Sequence, residues 1–337
     1  MVSPRRIGDT DVYPIGLGCM NLSHAYGPPA DPAIAGKLLN QALDRGCNFL
    51  DTATIYGAGG NEKLIAASIG HRRGEYFLAS KCVAMVRDGE RVIDGRPATI
   101  RQACEASLQR LQTDVIDLYY MHRPDPDVPV EESVGALSEL VSEGKIRFVG
   151  LSEMGKGLLQ RAHAVHPVAA LQSEYSLWVR NPEIAVLETC REQGTAFVAF
   201  SPVGRGYLAD PPFDPSTMHE RDMRRVFPRF SPEHYPANLD LLDEARTIAR
   251  EAGCSLTQLA LAWLLAKGEH VIPIPGTTDR QHLDENLEAA TVSLSPELVA
   301  RLDAHFTPDR AAGPRYAPAQ QKTVDTERFS FETGDAG

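Results

Sequence analysis

DVIDLYYMHRPDPDVPVEESVGALSELVSEGKIRFVGLSE, residues Asp114 to Glu153, holds one full structural period of this chain. Asp117–Met121 is a short aromatic and aliphatic run of the kind that forms a buried strand. A turn rich in Pro and Asp follows. Val130–Ser142 then carries Val130, Val134, Leu137 and Val141 at helical spacing, and Arg147–Leu151 reads as the next strand. The same unit recurs outward in both directions. Strands are predicted at Ile15–Gly18, Asn48–Asp51, Tyr76–Ser80, Val168–Leu171, Ala196–Phe200 and Val271–Ile274. Helices are predicted at Pro32–Arg45, Asn61–Ile69, Thr99–Leu111, Lys156–His163, Pro182–Glu192 and Leu256–Lys267.

Eight strands each followed by a helix, with no GxGxxG after the first, favour a closed (β/α)8 TIM barrel over a doubly wound sheet. A length of 337 residues suits one such barrel, so residues 1–337 are expected to form a single domain. Residues 2–13, centred on Gly8-Asp9, read as an N-terminal β-hairpin that plugs the barrel's bottom. Residues 205–237 interrupt the repeat after the seventh strand, where such barrels place a lid. Ser295-Pro296-Glu297 starts an extra helix over 295–306, and residues 307–337 are expected to form a loosely ordered tail.

With 43% apolar and 23% charged residues, the composition is that of an ordinary globular protein, which excludes fibrous and disordered classes. Lys and Arg number 34 against 45 Asp and Glu, a net charge of −11 and the wrong sign for coating nucleic acid or anionic lipid. The most apolar run, Leu259–Ala266, is far short of the roughly 20 residues that span a bilayer. The opening MVSPRRIGDTDVYPIG has no apolar export core, so a cytoplasmic protein is expected. Its six cysteines are scattered, which suits reduced thiols and no bound metal.

In such barrels chemistry is done where strands end at the carboxyl face, so polar residues closing apolar runs are the candidates. Asp51 closes one strand and leads through Thr-Ala-Thr-Ile to Tyr56; Lys81 closes the next; His122 closes the fourth. An ammonium beside a phenol stabilises the phenolate, so Lys81 is expected to activate Tyr56, with Asp51 holding Lys81 in place. A neutral His122 can donate a hydrogen bond to a carbonyl oxygen. Together the four describe a site that protonates a carbonyl.

The segments LGCMNLS, FLDTATIYG, FLASKC, DVIDLYYMHRPDPDVPVEES, LVSEGKIRFVGLSE, LQSEYSLWVR, AFSPVGRGYL and IPIPGTTDRQHLDENLEA resemble, in order, those of the aldo-keto reductase family, over about residues 5–305. The wording is similar to the general-purpose reductases of bacteria, plants and fungi. That resemblance implies a barrel binding NADPH or NADP+ extended over its mouth, with NADH as an alternative, and it places Asp51, Tyr56, Lys81 and His122 on the family's catalytic tetrad. It also implies a nicotinamide over Gly18, Cys19 and Met20, its carboxamide held by Ser152, Glu153 and Gln172, and its face stacked on Phe200. Ser201, Pro202, Val203, Gly204 and Arg205 would take the pyrophosphate. The adenosine phosphate would fall to Gly276, Thr277, Thr278, Arg280, His282, Glu285 and Asn286. The chain departs from the pattern at Glu153, where many members carry Asn, and at Gly276 and His282, where others place Lys or Arg.

The expected activity is reduction of an aldehyde or ketone, with Tyr56 as general acid and without a metal. Met20, Tyr26, Met85 and Trp178 are expected to line the substrate pocket, with Arg123, Tyr207 and parts of 210–235 at its rim, favouring an apolar or aromatic carbonyl compound. Two alternatives stand beside it: an NADP(H)-binding interaction or redox-sensing module with vestigial turnover, and a Schiff-base barrel lyase using Lys81. The expected partner is a small carbonyl molecule, with neither nucleic acid nor membrane; no helix face marks an oligomer seam.

Overall fold

The computed structural model of the chain describes residues 2–333. An antiparallel hairpin, β1 (Arg5–Ile7) and β2 (Thr10–Val12), precedes the barrel. The barrel strands are β3 (Leu17–Gly18), β4 (Phe49–Asp51), β5 (Phe77–Cys82), β8 (Ile116–Met121), β9 (Ile146–Ser152), β10 (Val168–Glu174), β11 (Ala196–Phe200) and β12 (Val271–Ile274). They pair in parallel in that order. The Gly16 amide donates to Pro273 O at 3.0 Å and the Gly18 amide to Pro275 O at 3.2 Å, which joins the last strand to the first and closes the ring. A Cβ on Gly18 would stand 2.9 Å from Ile274 O, so the seam requires a residue without a side chain there.

Between β5 and β8 the chain inserts a second hairpin, β6 (Ala84–Arg87) and β7 (Glu90–Ile93). Around the barrel run α1 (Pro32–Asp44), α2 (Gly60–Ile69), α3 (Pro97–Leu111), α4 (Val130–Ser142), α5 (Lys156–Val165), α6 (Val186–Gln193), α7 (Tyr235–Leu239), α8 (Leu242–Ala252), α9 (Leu256–Ala266), α10 (Arg280–Glu288) and α11 (Pro296–His305). Two short turns of helix, α12 (Pro318–Gln321) and α13 (Ser330–Thr333), lie in the tail. The (β/α)8 barrel expected from the sequence is the fold observed. No helix is long and apolar enough to cross a membrane among the described residues.

Two cores hold the barrel together. Inside, Phe49, Phe77, Ala79, Leu118, Tyr120, Ala170, Val198 and Ile272 fill the ring, and Ile7 and Val12 of the hairpin join them, closing the bottom as expected. Outside, the faces of the strands pack against the helices in a second cluster running from Ile15 to Tyr316. Strand side chains alternate between these cores because successive Cβ atoms point to opposite faces.

Three expectations fail. The hairpin β6–β7 and helix α8 were not predicted. The tail is not loose over its described part: Arg315, Tyr316 and Thr326 are buried, and the Asp325 amide donates to Glu153 O at 2.9 Å. Its anchor is electrostatic, as set out below; residues 334–337 lie outside the described residues.

Candidate active site

The alternation that fills the barrel also arms its mouth. Phe49 points inward, and so does Asp51 two residues on; Phe77 and Ala79 are followed by Lys81, Leu118 and Tyr120 by His122, and Ala170 by Gln172. Apolar layers thus end in one polar layer at the carboxyl face. Tyr56 enters the same space from the turn after β4.

Lys81 is fully buried, and its ammonium donates to a carboxylate oxygen of Asp51, to Thr52 O at 2.9 Å and to the Tyr56 hydroxyl at 3.4 Å. Its charge also lies 5.1 Å from the centre of the Tyr56 ring. The second oxygen of Asp51 accepts from Gln172 Nε2 at 2.7 Å. Burial works against the Lys81 cation, but Asp51, aided by Tyr56, outweighs it and holds the amine above its ordinary range. Ser80, facing outward, donates at 2.6 Å to buried Glu62, which Arg110 pairs, so β5 is pinned behind the lysine.

Burial governs the phenol. Burial pushes Tyr56 above the ordinary tyrosine value, and Asp51 adds to this; Lys81 and Arg123 pull down without reversing it. Tyr56 is therefore a neutral donor at rest, and the neighbouring ammonium matters to the anion left once the proton has gone. His122 meets the Tyr56 ring edge-on at 5.9 Å between centres. Burial first, then Arg123, Lys81 and Arg91, hold it well below the usual histidine value, which keeps the imidazole neutral. Its Nδ1 is buried without a partner.

Asp51, Tyr56 and His122 open into a cavity of about 870 Å³, toward the upper end of the roughly 300–1,000 Å³ usual for small-molecule sites. Gly18, Met20, Ser152, Gln172 and Phe200 line its floor, and Ser201, Pro202, Val203 and Arg205 continue it along the loop after β11. Gly276, beside Gly18, lines it too, with Thr277, Thr278, His282, Glu285, Asn286 and Tyr26. The stretch after residue 205 borders it at Gly206, Ala209, Phe213, Met223, Arg224 and Phe227.

Other expected residues stand outside it. Cys19 is buried, its thiol turned to Leu17 O at 3.6 Å. Glu153 is fully buried and faces the tail, accepting from Arg315, from Thr326 Oγ1 at 2.9 Å and from the Glu174 amide at 3.0 Å. A carboxylate in a dry site goes to its guanidinium, so it is withdrawn from any carboxamide. Gly204 and Tyr207 are buried and do not line it. Arg280 is exposed and bonded to Gln41. Met85 packs within the β6–β7 hairpin opposite Val92. Trp178 stacks on Tyr207 at 3.9 Å, with Nε1 donating to Asn238 at 3.1 Å, and so serves packing. Arg205 lines the cavity, but its charge is 3.2 Å from Glu174 and 4.2 Å above the Phe227 ring. The Asp279 side chain already caps the Gln281 and His282 amides of α10 at 2.7 and 3.1 Å.

The sequence reading missed His24, Asn21, Arg91 and the tail residues Tyr316, Gln320, Thr323 and Val324, all of which line the cavity. Arg91 had a legible signal: Asp88-Gly89, with φ of +54° and +83°, is the dipeptide that turns a tight hairpin. The tail residues had none, because their place depends on Arg315 bonding buried carboxylates more than 140 residues earlier.

A closed barrel with a lysine-backed phenol at its carboxyl mouth belongs with the barrel oxidoreductases. The chain is a member of the aldo/keto reductase family, whose pattern matches residues 14–306. Among solved structures it is similar to a glycerol dehydrogenase from Gluconobacter oxydans, at 27% identity and a TM-score of 0.83, with 94% of this chain and 98% of that one covered. An aldo-keto reductase from Bacillus halodurans in its holo form matches at 27% identity and a TM-score of 0.75, covering 94% and 99%. One from Klebsiella pneumoniae, in complex with NADPH, matches at 28% identity and 0.71, again covering 94% and 99%.

Proposed function

We propose that the protein reduces an aldehyde or ketone to the alcohol at the expense of NADPH, with Tyr56 as the proton donor. The observation that carries this reading is the Tyr56 hydroxyl 3.4 Å from the buried Lys81 ammonium, at the wall of a cavity it shares with neutral His122. The donors of that cavity suit an extended dinucleotide. Ser152 and Gln172 offer hydrogen bonds to a carboxamide, Phe200 a flat apolar face, Ser201, Pro202, Val203 and Arg205 a loop with a cation, and Thr277, Thr278, His282, Glu285 and Asn286 further polar groups. Bound there, NADPH supplies the hydride that adds to the carbonyl carbon.

This chain's residues handle the oxygen. Neutral His122 donates a hydrogen bond that fixes and polarises it. Tyr56 gives its proton to the same atom, and Lys81, kept charged by Asp51, stabilises the phenolate that remains. Run in reverse, that phenolate takes the proton of an alcohol. Schiff-base chemistry needs a free amine, whereas Lys81 is buried, bonded on three sides and held protonated.

The test is NADPH consumption with a panel of aldehydes and aromatic ketones. Tyr56→Phe should lower turnover by about 10²–10⁴-fold, the usual worth of a positioned acid, while NADPH still quenches the protein's fluorescence. Turnover that survives the substitution, or binding lost in step with it, removes Tyr56 from the chemistry.

A further inference from the structure

Four arginines line the cavity among the described residues: Arg91, Arg123, Arg205 and Arg224. Two are neutralised, Arg205 by Glu174 at 3.2 Å and Arg224 by Asp222 at 2.6 Å. The other two are not. Arg123 donates only to His122 O and, at 3.3 Å, to Ser152 Oγ, and its Nε is buried without any partner. Arg91 stands on β7, opposite Val86 in the hairpin that springs from the lysine-bearing strand β5. The charges that act on it are Arg123, which repels it, and the hydroxyls of Tyr316 and Tyr56; no carboxylate is among them. The residue is exposed on its strand, so its charge is open to solvent as well as to the cavity. The acids on the same wall are committed elsewhere, Asp51 to Lys81 and Gln172, Asp210 to Arg246 at 3.5 Å, and Glu285 to Ser255 at 2.6 Å.

Two guanidinium groups without a carboxylate line one cavity, Arg91 exposed and Arg123 partly buried, and an anion that enters it can pair with both. Both act on His122 and on Tyr56, so they border the part of the cavity beside the proton donor. We propose that the substrate carries a carboxylate or phosphate on the same molecule as its carbonyl, and that Arg91 and Arg123 hold this anion while the carbonyl oxygen lies against Tyr56 and His122. The proposal rests on the reductase reading and narrows its substrate class. It departs from the apolar pocket expected from the sequence, because Met85 and Trp178 do not reach the cavity and two free cations do.

The experiment compares matched aldehydes, with and without an anion: 4-carboxybenzaldehyde against 4-methylbenzaldehyde, and glyceraldehyde 3-phosphate against glyceraldehyde. The readout is the ratio of kcat/KM within each pair, taken separately for wild type, Arg91→Lys, Arg91→Ala and Arg91→Glu. Wild type should favour at least one anionic member by roughly tenfold or more, the worth of one charge-assisted hydrogen bond. The pair showing it tells carboxylate from phosphate. Arg91→Lys should keep part of the preference, Arg91→Ala should bring it near unity, and Arg91→Glu should invert it. Because each ratio is internal, a general loss of activity does not imitate the effect. No preference in wild type, or one undiminished in Arg91→Ala and Arg91→Glu, overturns the proposal. If neutral and anionic aldehydes all go unreduced, the reductase reading itself fails. Calorimetric titration of the same pairs into the NADPH-loaded protein then decides the anion site, equal affinity within both pairs counting against it.

Discussion

At the scale of single residues, the site sets one buried charge pair against one neutral acid. Lys81 and Asp51 are nearly without exposure, and removing either partner of such a pair commonly costs about 3–5 kcal/mol, since the other charge stays buried and uncompensated. That cation does not ionise Tyr56, whose phenol lies above its ordinary value of 10 because burial outweighs Lys81. The acid form is the active one for reduction, so the rate should hold through neutral and mildly alkaline pH and fall only above pH 10. A stopped-flow pH profile of the hydride-transfer step checks this; an alkaline limb near neutrality would mean that Lys81 prevails. Asp51, Lys81 and His122 were legible because each closes an apolar run, and strand parity then dictates that it faces the mouth; Tyr56 lies in the turn that follows Asp51. Glu153 was misread for a physical reason: sequence order places it beside Ser152, but its carboxylate follows Arg315, 162 positions away, out of the cavity.

At the scale of elements, β10 carries the central link of an ion chain. Glu174 at its end lies between Arg205 of the loop after β11 and Arg315 of the tail, and Arg315 continues to Glu153 after β9. Burial alone would raise Glu174, but the two guanidinium groups pull it down to about 2. A carboxylate with a depressed folded value contributes stability that is complete above its unfolded value, near 4.5, and is lost as pH falls toward 2. The unfolding midpoint in urea should therefore drop across that window, and the drop should be smaller in Glu174→Gln, which has no proton to take up there. An acid transition of the same size in both proteins would place it on other carboxylates. Element identity was largely legible: α4, β11 and β12 lie at the predicted limits, and β9 and β10 run one to three residues past them. Helix α8 escaped although Leu242, Ala245, Ile248 and Ala249 repeat at helical spacing, because its polar residues join a Pro- and Arg-rich approach that reads as one long loop.

At the scale of the whole molecule, the tail is part of the wall and not a wrapping. Tyr316, Gln320, Thr323 and Val324 line the cavity, Tyr316 also joins the outer core, and Arg315 bridges two buried carboxylates. Ending the chain after Ala312 removes the lining and the cation together, leaving Glu153 without its guanidinium and Glu174 with Arg205 alone. Arg315→Met removes only the cation, keeping the aliphatic stem over the Tyr316 ring, now 4.4 Å from the guanidinium. Both variants should lose on the order of 3–5 kcal/mol, seen as a lower midpoint in thermal and urea unfolding. They should part in ligand binding. The truncated chain has an open cavity wall, so its KM for carbonyl substrates and its Kd for NADPH should rise well above those of Arg315→Met. Because one core cluster runs from Ile15 to Tyr316, we propose that barrel and tail unfold together as one domain, in a single transition in the full-length protein. A truncated protein with unchanged midpoint and unchanged NADPH affinity would show that the tail only covers a barrel complete without it, and a separate early transition in the intact chain would break the proposed single domain into two.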